Sequence, residues 1–558
     1  MIKSAMQQYR ATYSPKLPKA LRGAVKAVSG AQTKSIGCEE DIRLLFPNTF
    51  GMPELTFETG EENAKKEAKP INAGVILSGG QAPGGHNVIA GIFDGIKKIH
   101  PDSHLYGFLM GPDGLINHQY KELTADIIDD YRNTGGFDMI GSGRTKLETK
   151  EQFDLGLEII QKLNIDVLVI IGGDDSNTNA AILAEYYKSI NAPVQVIGCP
   201  KTIDGDLKNA QIETSFGFDT ATKVYSEVIG NTLRDCDSAK KYWHFIKLMG
   251  RSASHIALEC ALQTHPNVTV ISEEVEQNNI TLKEIVDYIA KIVAKRAQNG
   301  ENFGTVLIPE GLIEFLPSIK KLIAELNDYL VDHEEEYRRV PEEEKHDYMT
   351  SKLSAENAEV YASLPDSVAR QLALDRDSHG NVQVSLIETE KLLVYLVGKR
   401  LEEMRKAGKY NGKFSTITHF FGYEGRCSMP SNFDANYCYA LGRTAACLAE
   451  SGVTGYMSTV RNTTAKPEEW IAGGVPIVMM MDMERRHGSM KPVIRKALVD
   501  LEGAPYRYFS EHRKEWALKT HYRYPGPIQF FGPDELCDKP SITLSLEHPH
   551  KNSDIETF

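Results

Sequence analysis

Residues 166–187 read DVLVIIGGDDSNTNAAILAEYY. DVLVI has the short, unbroken apolar character of a strand buried on both faces, and AAILAEYY has helical spacing, so the chain turns from strand to helix around Gly172 and Gly173. Backbone N–H groups at a helix N-terminus attract anions. Here two carboxylates, Asp174 and Asp175, occupy that seat. A helix cap explains one of them comfortably; two are harder to explain that way.

Working outward, AGVILSGGQAPGGHNVIAGIFDGI (73–96) repeats the order strand, glycine loop, helix, and VQVIGCPKTIDGDLKN (194–209) gives a third strand and loop. Alternating strands and helices predict an α/β fold with a parallel sheet. In such sheets the carboxyl ends of the strands border one crevice, so the three loops are expected to converge. A second set follows: HFIKLMGRSASHIALECAL (244–262), read as a strand and a Ser-capped helix, then GTVLIPEGL (304–312) and STITHFFGYEGRC (415–427). These predict a second α/β domain. The densely charged VDHEEEYRRVPEEEKHDYMTSKL (331–353) and the helical spacing of 386–407 predict an inserted helical excursion, about 317–410. FETGEENAKKEAKP (57–70) reads as a charged linker. The expected plan is an N-terminal extension (1–70), one α/β domain (71–215 with 427–490), a second (216–426) carrying the insertion, and a C-terminal extension (491–558).

Composition bounds the function. With 558 residues the chain exceeds one ordinary core, and 41% hydrophobic with 25% charged residues is a soluble globular balance. The net charge of −13 argues against nucleic-acid binding, which rests on cationic neutralisation of phosphates. No apolar run approaches the roughly 20 residues of a membrane span, and the start lacks a signal-peptide core. Eight scattered cysteines with no metal-ligand spacing suggest reduced thiols and a cytoplasmic protein.

The loops suggest phosphate chemistry. SGGQAPGGHN (78–87), including Gly79 and Gly80, lets backbone approach an anion, yet it is neither a dinucleotide fingerprint nor a Walker loop. Asp174 beside phosphate is tolerable with Mg²⁺ between them, since that ion takes one or two carboxylates plus substrate phosphates. In PKTIDGD (200–206), Asp204 and Asp206 point the same way if the segment is extended, a carboxylate there can accept an alcohol proton, and Lys201 supplies a compact positive charge.

GGDDS, PKTIDGD, MGRSASH (249–255), PEG (309–311) and GYEGR (422–426), in this order, resemble the phosphofructokinases, in particular the long-chain pyrophosphate-dependent type, over roughly residues 70–490. The resemblance implies reversible, Mg²⁺-dependent transfer of a phosphoryl group from pyrophosphate to fructose 6-phosphate. It also implies roles. Gly79, Gly80, Arg144 of GSGR and Lys201 would hold pyrophosphate, and Asp174 the metal. Thr202, Ile203 and Asp204 would meet the sugar near its 1-hydroxyl, with Asp204 as base and Asp206 beside it. Met249, Gly250, Arg251, Glu310, Tyr423, Glu424, Gly425 and Arg426 would bind the sugar phosphate. Lys241 and Tyr242 would reach across a subunit interface, implying a homodimer. ATP-using relatives usually carry glycine at Asp175 and a small residue at Lys201, so these two residues would set donor choice. An ATP-dependent kinase and a silent regulatory subunit are the alternatives; the latter should have lost Asp174, Asp204 or Arg251, and all three are present.

Overall fold

The computed structural model describes residues 4–61, 69–373, 386–486, 489–528, 530, 532 and 534–549. The centre of the expected linker, 62–68, lies outside the described residues. The first strands along the chain are β1 (Val25–Gln32), β2 (Pro53–Thr59), β3 (Ala73–Leu77), β4 (Leu105–Phe108), β5 (Tyr120–Glu122), β6 (Val167–Gly172), β7 (Gln195–Thr202) and β8 (Phe216–Gly217). They are followed by β9 (Trp243–Leu248), β10 (Val268–Thr269), β11 (Gly304–Pro309) and β12 (Thr416–Phe421). The last are β13 (Tyr456–Arg461), β14 (Ile471–Pro476), β15 (Met481–Arg486) and β16 (Ser489–Ile494).

Two compact units result. One comprises Met1–Ala221, Tyr423–Ala497 and Ile528–Phe558; the other comprises Thr222–Gly422 and Leu498–Pro527. In the first unit a ten-stranded sheet runs β1-β2-β14-β13-β7-β6-β3-β4-β5, with β8 paired to β7. Its centre, β13 through β4, is parallel, and its flanks are antiparallel. Every residue of β3 and β6 is buried, which is why their sequences are continuous apolar runs rather than alternating ones. Leu77 stands opposite Ile171, and Ile171 opposite Cys199. The strands β3, β6 and β7 therefore end level, and the loops after them emerge side by side.

In the second unit four parallel strands run β10-β11-β9-β12. Leu248 faces both Pro309 and Phe421, so three more loops start level. The expected insertion is helical among the described residues: Pro317–Arg339, Lys345–Lys352, Ala355–Ser363, Asp366–Ala373 and Thr389–Lys406. Its apolar faces, including Leu322, Leu326, Leu392 and Leu393, share one core with Phe245 and Val306 of the sheet. Its charges stay outside in exposed pairs such as Arg338 with Glu334.

The terminal segments differ from their expected description as extensions. Residues before 60 supply β1 and β2, and β2 pairs with β14. Leu55 and Phe57 of β2 are buried at the two-residue period of a strand, whereas β1 is almost wholly exposed and carries no such signal. Arg10 is fully buried and donates to Asn432 Oδ1 and the Pro430 carbonyl, both at 2.8 Å. The C-terminal residues divide between the units. The helix Ala504–Leu518 sits in the second, where the Trp516 carbonyl accepts from Asn267 Nδ2 at 3.0 Å.

Candidate functional site

In the first unit the turn after β6 is closed by side chains the sequence places within one helical turn. Gly173 caps the helix Asp174–Ser189 without a side-chain bond, so Asp174 and Asp175 are first-turn residues rather than the cap itself. Asn177 Nδ2 donates to the carbonyls of Gly172 (2.6 Å) and Gly173 (2.9 Å), and Ser176 Oγ donates to Ser78 Oγ (2.8 Å). That last bond joins the second loop to the first. The GSGR segment joins too: Gly79 N donates to the Gly143 carbonyl at 2.8 Å.

Gly79 has φ +82°, a conformation that side chains rarely adopt, and a Cβ on it would come within 3.3 Å of Lys201 Nζ. A Cβ on Gly80 would lie 1.9 Å from Arg426 Nη1. Two glycines thus leave space beside Lys201 Nζ and Arg426 Nη1 that side chains would fill. Lys201 is buried; desolvation first, then the charge of Arg426, pull its pKa down to about 7, with Asp204 and Asp174 opposing and Arg144 assisting. The first, second and third loops, GSGR and YEGR are therefore electrostatically one cluster.

Two carboxylate oxygens in it stand out. Asp174 Oδ2 and Asp204 Oδ1 are buried and have no hydrogen-bond partner among the described residues. Burying an unsatisfied charged oxygen is costly, and natural structures rarely do it without a purpose. Asp204 is 9% exposed, its backbone N donating to Thr202 Oγ1 at 3.0 Å. Ile203 and Asp206 are buried beside it. Two lysines outside every quoted motif also reach the pair of aspartates. Lys146 Nζ stands 3.9 Å from Asp175 Oδ1, and Lys496 Nζ 3.6 Å from Asp174 Oδ2. Burial pulls the Lys496 pKa down, but Asp174, Asp206, Asp175 and Asp204 together raise it above the ordinary value. Tyr423, Glu424, Gly425 and Arg426 form one short helical turn, with Tyr423 and Glu424 exposed.

In the second unit the loops after β9 and β11 interlock. Gly250 N donates to Glu310 Oε2 at 2.8 Å, Glu310 N to the Leu248 carbonyl at 2.9 Å, and Gly311 N to the Gly250 carbonyl at 3.3 Å. Glu310 is 1% exposed, so its carboxylate braces the MGR turn from below. Met249 is buried and Arg251 half-buried. Ser254 does not cap its helix as expected: its Oγ accepts from Ser272 N at 2.8 Å instead, a tie to the neighbouring helix that local sequence does not reveal. Lys241 and Tyr242 are not brought to these residues. They precede β9, while Met249 follows it, and a strand rises about 3.3 Å per residue, so roughly 20–25 Å separates them. Lys241 Nζ instead lies over the Tyr242 ring, 4.9 Å from its centroid.

No group of three or more His, Cys, Asp or Glu side chains among the described residues could hold a metal ion alone. Asp174 fits a metal that draws its remaining ligands from a substrate, as Mg²⁺ does with phosphates. The eight cysteines form no disulfide among the described residues. No helix among the described residues is long and apolar enough to cross a membrane.

A family model described as phosphofructokinase matches residues 72–449. The chain is 64% identical over 98% of its length to pyrophosphate–fructose 6-phosphate 1-phosphotransferase of Porphyromonas gingivalis, covering 99% of that protein. It is 54% identical over 98% of its length to the protein of the same name from Treponema pallidum, covering 97% of it. Among solved structures, a pyrophosphate-dependent phosphofructokinase from Nitrosospira multiformis superposes with a TM-score of 0.53 over 83% of this chain and 95% of that one, at 16% identity, a likeness of fold. On the family match and the full-length relatives together, the chain belongs to the phosphofructokinase family.

Proposed function

We propose that this chain transfers a phosphoryl group reversibly from pyrophosphate to the 1-hydroxyl of fructose 6-phosphate, giving fructose 1,6-bisphosphate and phosphate. The observation that carries the reading is the cluster at the level ends of β3, β6 and β7. It combines a glycine cradle beside Lys201 and Arg426 with two buried carboxylate oxygens that have no hydrogen bond among the described residues. Phosphoryl transfer asks for positioning and electrostatic stabilisation more than for covalent chemistry from the protein.

In this reading Gly79, Gly80, Arg144 and Lys201 seat pyrophosphate. Lys201, fixed at the cradle, neutralises charge on the transferred group as it develops. Asp204 accepts the proton of the 1-hydroxyl, its open Oδ1 being the acceptor, while Thr202 and Ile203 align the sugar. Asp206 adds negative charge beside it. Met249, Gly250, Arg251, Glu310, Tyr423, Glu424, Gly425 and Arg426 hold the sugar and its 6-phosphate. Asp174 would hold Mg²⁺, which would supply positive charge to offset that of the phosphates. Asp175 disfavours a nucleotide donor by its negative charge.

The separation of Lys241 and Tyr242 from Met249 along β9 supports a site completed by a second copy, because a sugar phosphate is too short to span it. A homodimer is the smallest assembly that supplies both. The test of the reaction is fructose 1,6-bisphosphate formation with Mg²⁺, run in parallel with pyrophosphate and with ATP. Rapid turnover with pyrophosphate alone is expected; turnover with ATP alone would replace this reading by the ATP-dependent one.

A further inference from the structure

The hairpin β15–β16 ends in a segment anchored to the phosphate-side loops. Ile494 N donates to Thr178 Oγ1 at 3.2 Å, Arg495 N to the Met480 carbonyl at 3.0 Å, and Ala497 N to the Asp206 carbonyl at 2.7 Å. Lys496 sits among these anchors. Its backbone is fixed on both sides, while its side chain is 37% exposed and crosses to Asp174. The oxygen it faces, Oδ2 at 3.6 Å, is the one that has no hydrogen bond among the described residues.

A lysine ammonium is a compact charge on a flexible four-carbon stem, so it can move several ångströms while its backbone stays put. At 3.6 Å it balances the Asp174 carboxylate without a hydrogen bond to hold it there. A divalent ion held by the Asp174 carboxylate would supply the positive charge that the ammonium supplies there, and so would compete with it. The charge arriving with the ion is the pyrophosphate, whose seat at Gly79 and Gly80 lies in the same loop cluster.

We propose that Lys496 is a pyrophosphate-binding residue that doubles as the counter-ion of Asp174: it neutralises that carboxylate before donor and metal bind, and turns to a pyrophosphate oxygen when they enter. This deepens the reading of the site given above and rests on Asp174 as the metal-bearing carboxylate. It separates two effects that a merely structural lysine would not separate. Removing the ammonium should free Asp174 for a metal ion in the absence of donor, and weaken the donor.

The experiment compares wild type with Lys496→Met, Lys496→Gln and Lys496→Arg. Binding of Mn²⁺ alone is followed by electron paramagnetic resonance, binding of pyrophosphate by calorimetry, and steady-state kinetics in both directions. The two neutral variants are expected to bind Mn²⁺ without pyrophosphate about tenfold more tightly, and to raise KM for pyrophosphate about 10- to 100-fold, the worth of one to two charged contacts at about tenfold per 1.4 kcal/mol. KM for fructose 6-phosphate should stay within a few fold, and Lys496→Arg should recover most of the pyrophosphate affinity. Unchanged pyrophosphate affinity in folded neutral variants overturns the proposal, whatever Mn²⁺ does. So does a joint weakening of Mn²⁺, pyrophosphate and fructose 6-phosphate with a lowered melting temperature, which would make Lys496 a strap for the hairpin. A wild type that binds pyrophosphate but turns over only ATP would refute the reaction and leave the two binding measurements to judge Lys496.

Discussion

Lys146 stands 3.9 Å from Asp175 Oδ1, and under the proposed function that neighbour limits how strongly the aspartate would repel a nucleotide. Two bare unit charges about 4 Å apart repel by roughly 4 kcal/mol at an effective dielectric near 20, about a thousandfold in affinity. A lysine at the same distance offsets part of this, and the aspartate's 42% exposure screens more. Asp175→Gly is therefore expected to raise kcat/KM for ATP by about one to two decades, with pyrophosphate use falling; the readout is the ratio of the two. A ratio that does not move would leave Asp175 as a residue that merely complements the helix dipole. Asp204 predicts a different pattern, because general-base catalysis contributes on the order of 10² to 10⁴ in rate. Asp204→Asn should lower kcat by that order with KM for fructose 6-phosphate within a few fold. A variant that kept most of its kcat would remove Asp204 from the role.

At the scale of elements, what could be read from sequence was what repeats locally. Continuous apolar runs marked β3, β6 and β7, and the glycines and aspartates after them marked the loops, because a parallel strand buried on both faces and a strand-to-helix turn each leave a contiguous signature. Lys146 and Lys496 had no such mark: each is one basic residue among many, brought to Asp175 and Asp174 by chain segments whose pairing only the fold decides. The contact of β9 with β12 was hidden for the same reason. It places His244 Nδ1 2.9 Å from His419 Nε2. Burial first, then His419, pulls His244 to about 4, with Asp235 opposing, and burial lowers His419 as well. The unfolded chain takes up a proton near pH 6.5 while the folded one does not, so the stability is whole above 6.5 and is lost as pH falls toward 4. By pH 5 the loss from His244 is about 2 kcal/mol, at 1.36 kcal/mol per unit. Urea unfolding at pH 7 and pH 5 should show a smaller drop for His244→Gln than for wild type; equal drops would place the acid sensitivity elsewhere.

Over the whole molecule, a chain of net charge −13 is expected to act on two anionic substrates. Screening beyond about 10 Å makes the distant carboxylates nearly irrelevant, and the local balance is set by Lys201, Arg426 and Arg144 in the first unit. The second unit carries Arg251 beyond one end of β9 and Lys241 with Tyr242 before the other. Composition could not have revealed that arrangement, since it depends on which end of a strand each motif occupies. If Lys241 and Tyr242 complete the sugar-phosphate site of another copy, each full site draws on two chains. A double variant, Lys241→Ala with Tyr242→Ala, then has intact Asp204 and a defective donated edge, while Asp204→Asn has the reverse. Mixed under conditions that allow subunit exchange, the two nearly inactive proteins form hybrid dimers. One of the two sites in each hybrid then combines a normal Asp204 with a normal Lys241 and Tyr242. With random exchange, half of the dimers are hybrids and half of their sites are whole, so activity should return to about a quarter of wild type by dimer statistics, given the symmetric interface that homodimers favour. Exchange is confirmed independently by mass spectrometry of differently tagged chains. Recovery of that size fits only a shared site; confirmed exchange with no recovery would mean that Lys241 and Tyr242 act on their own chain, and that the sugar-phosphate site is complete without a partner.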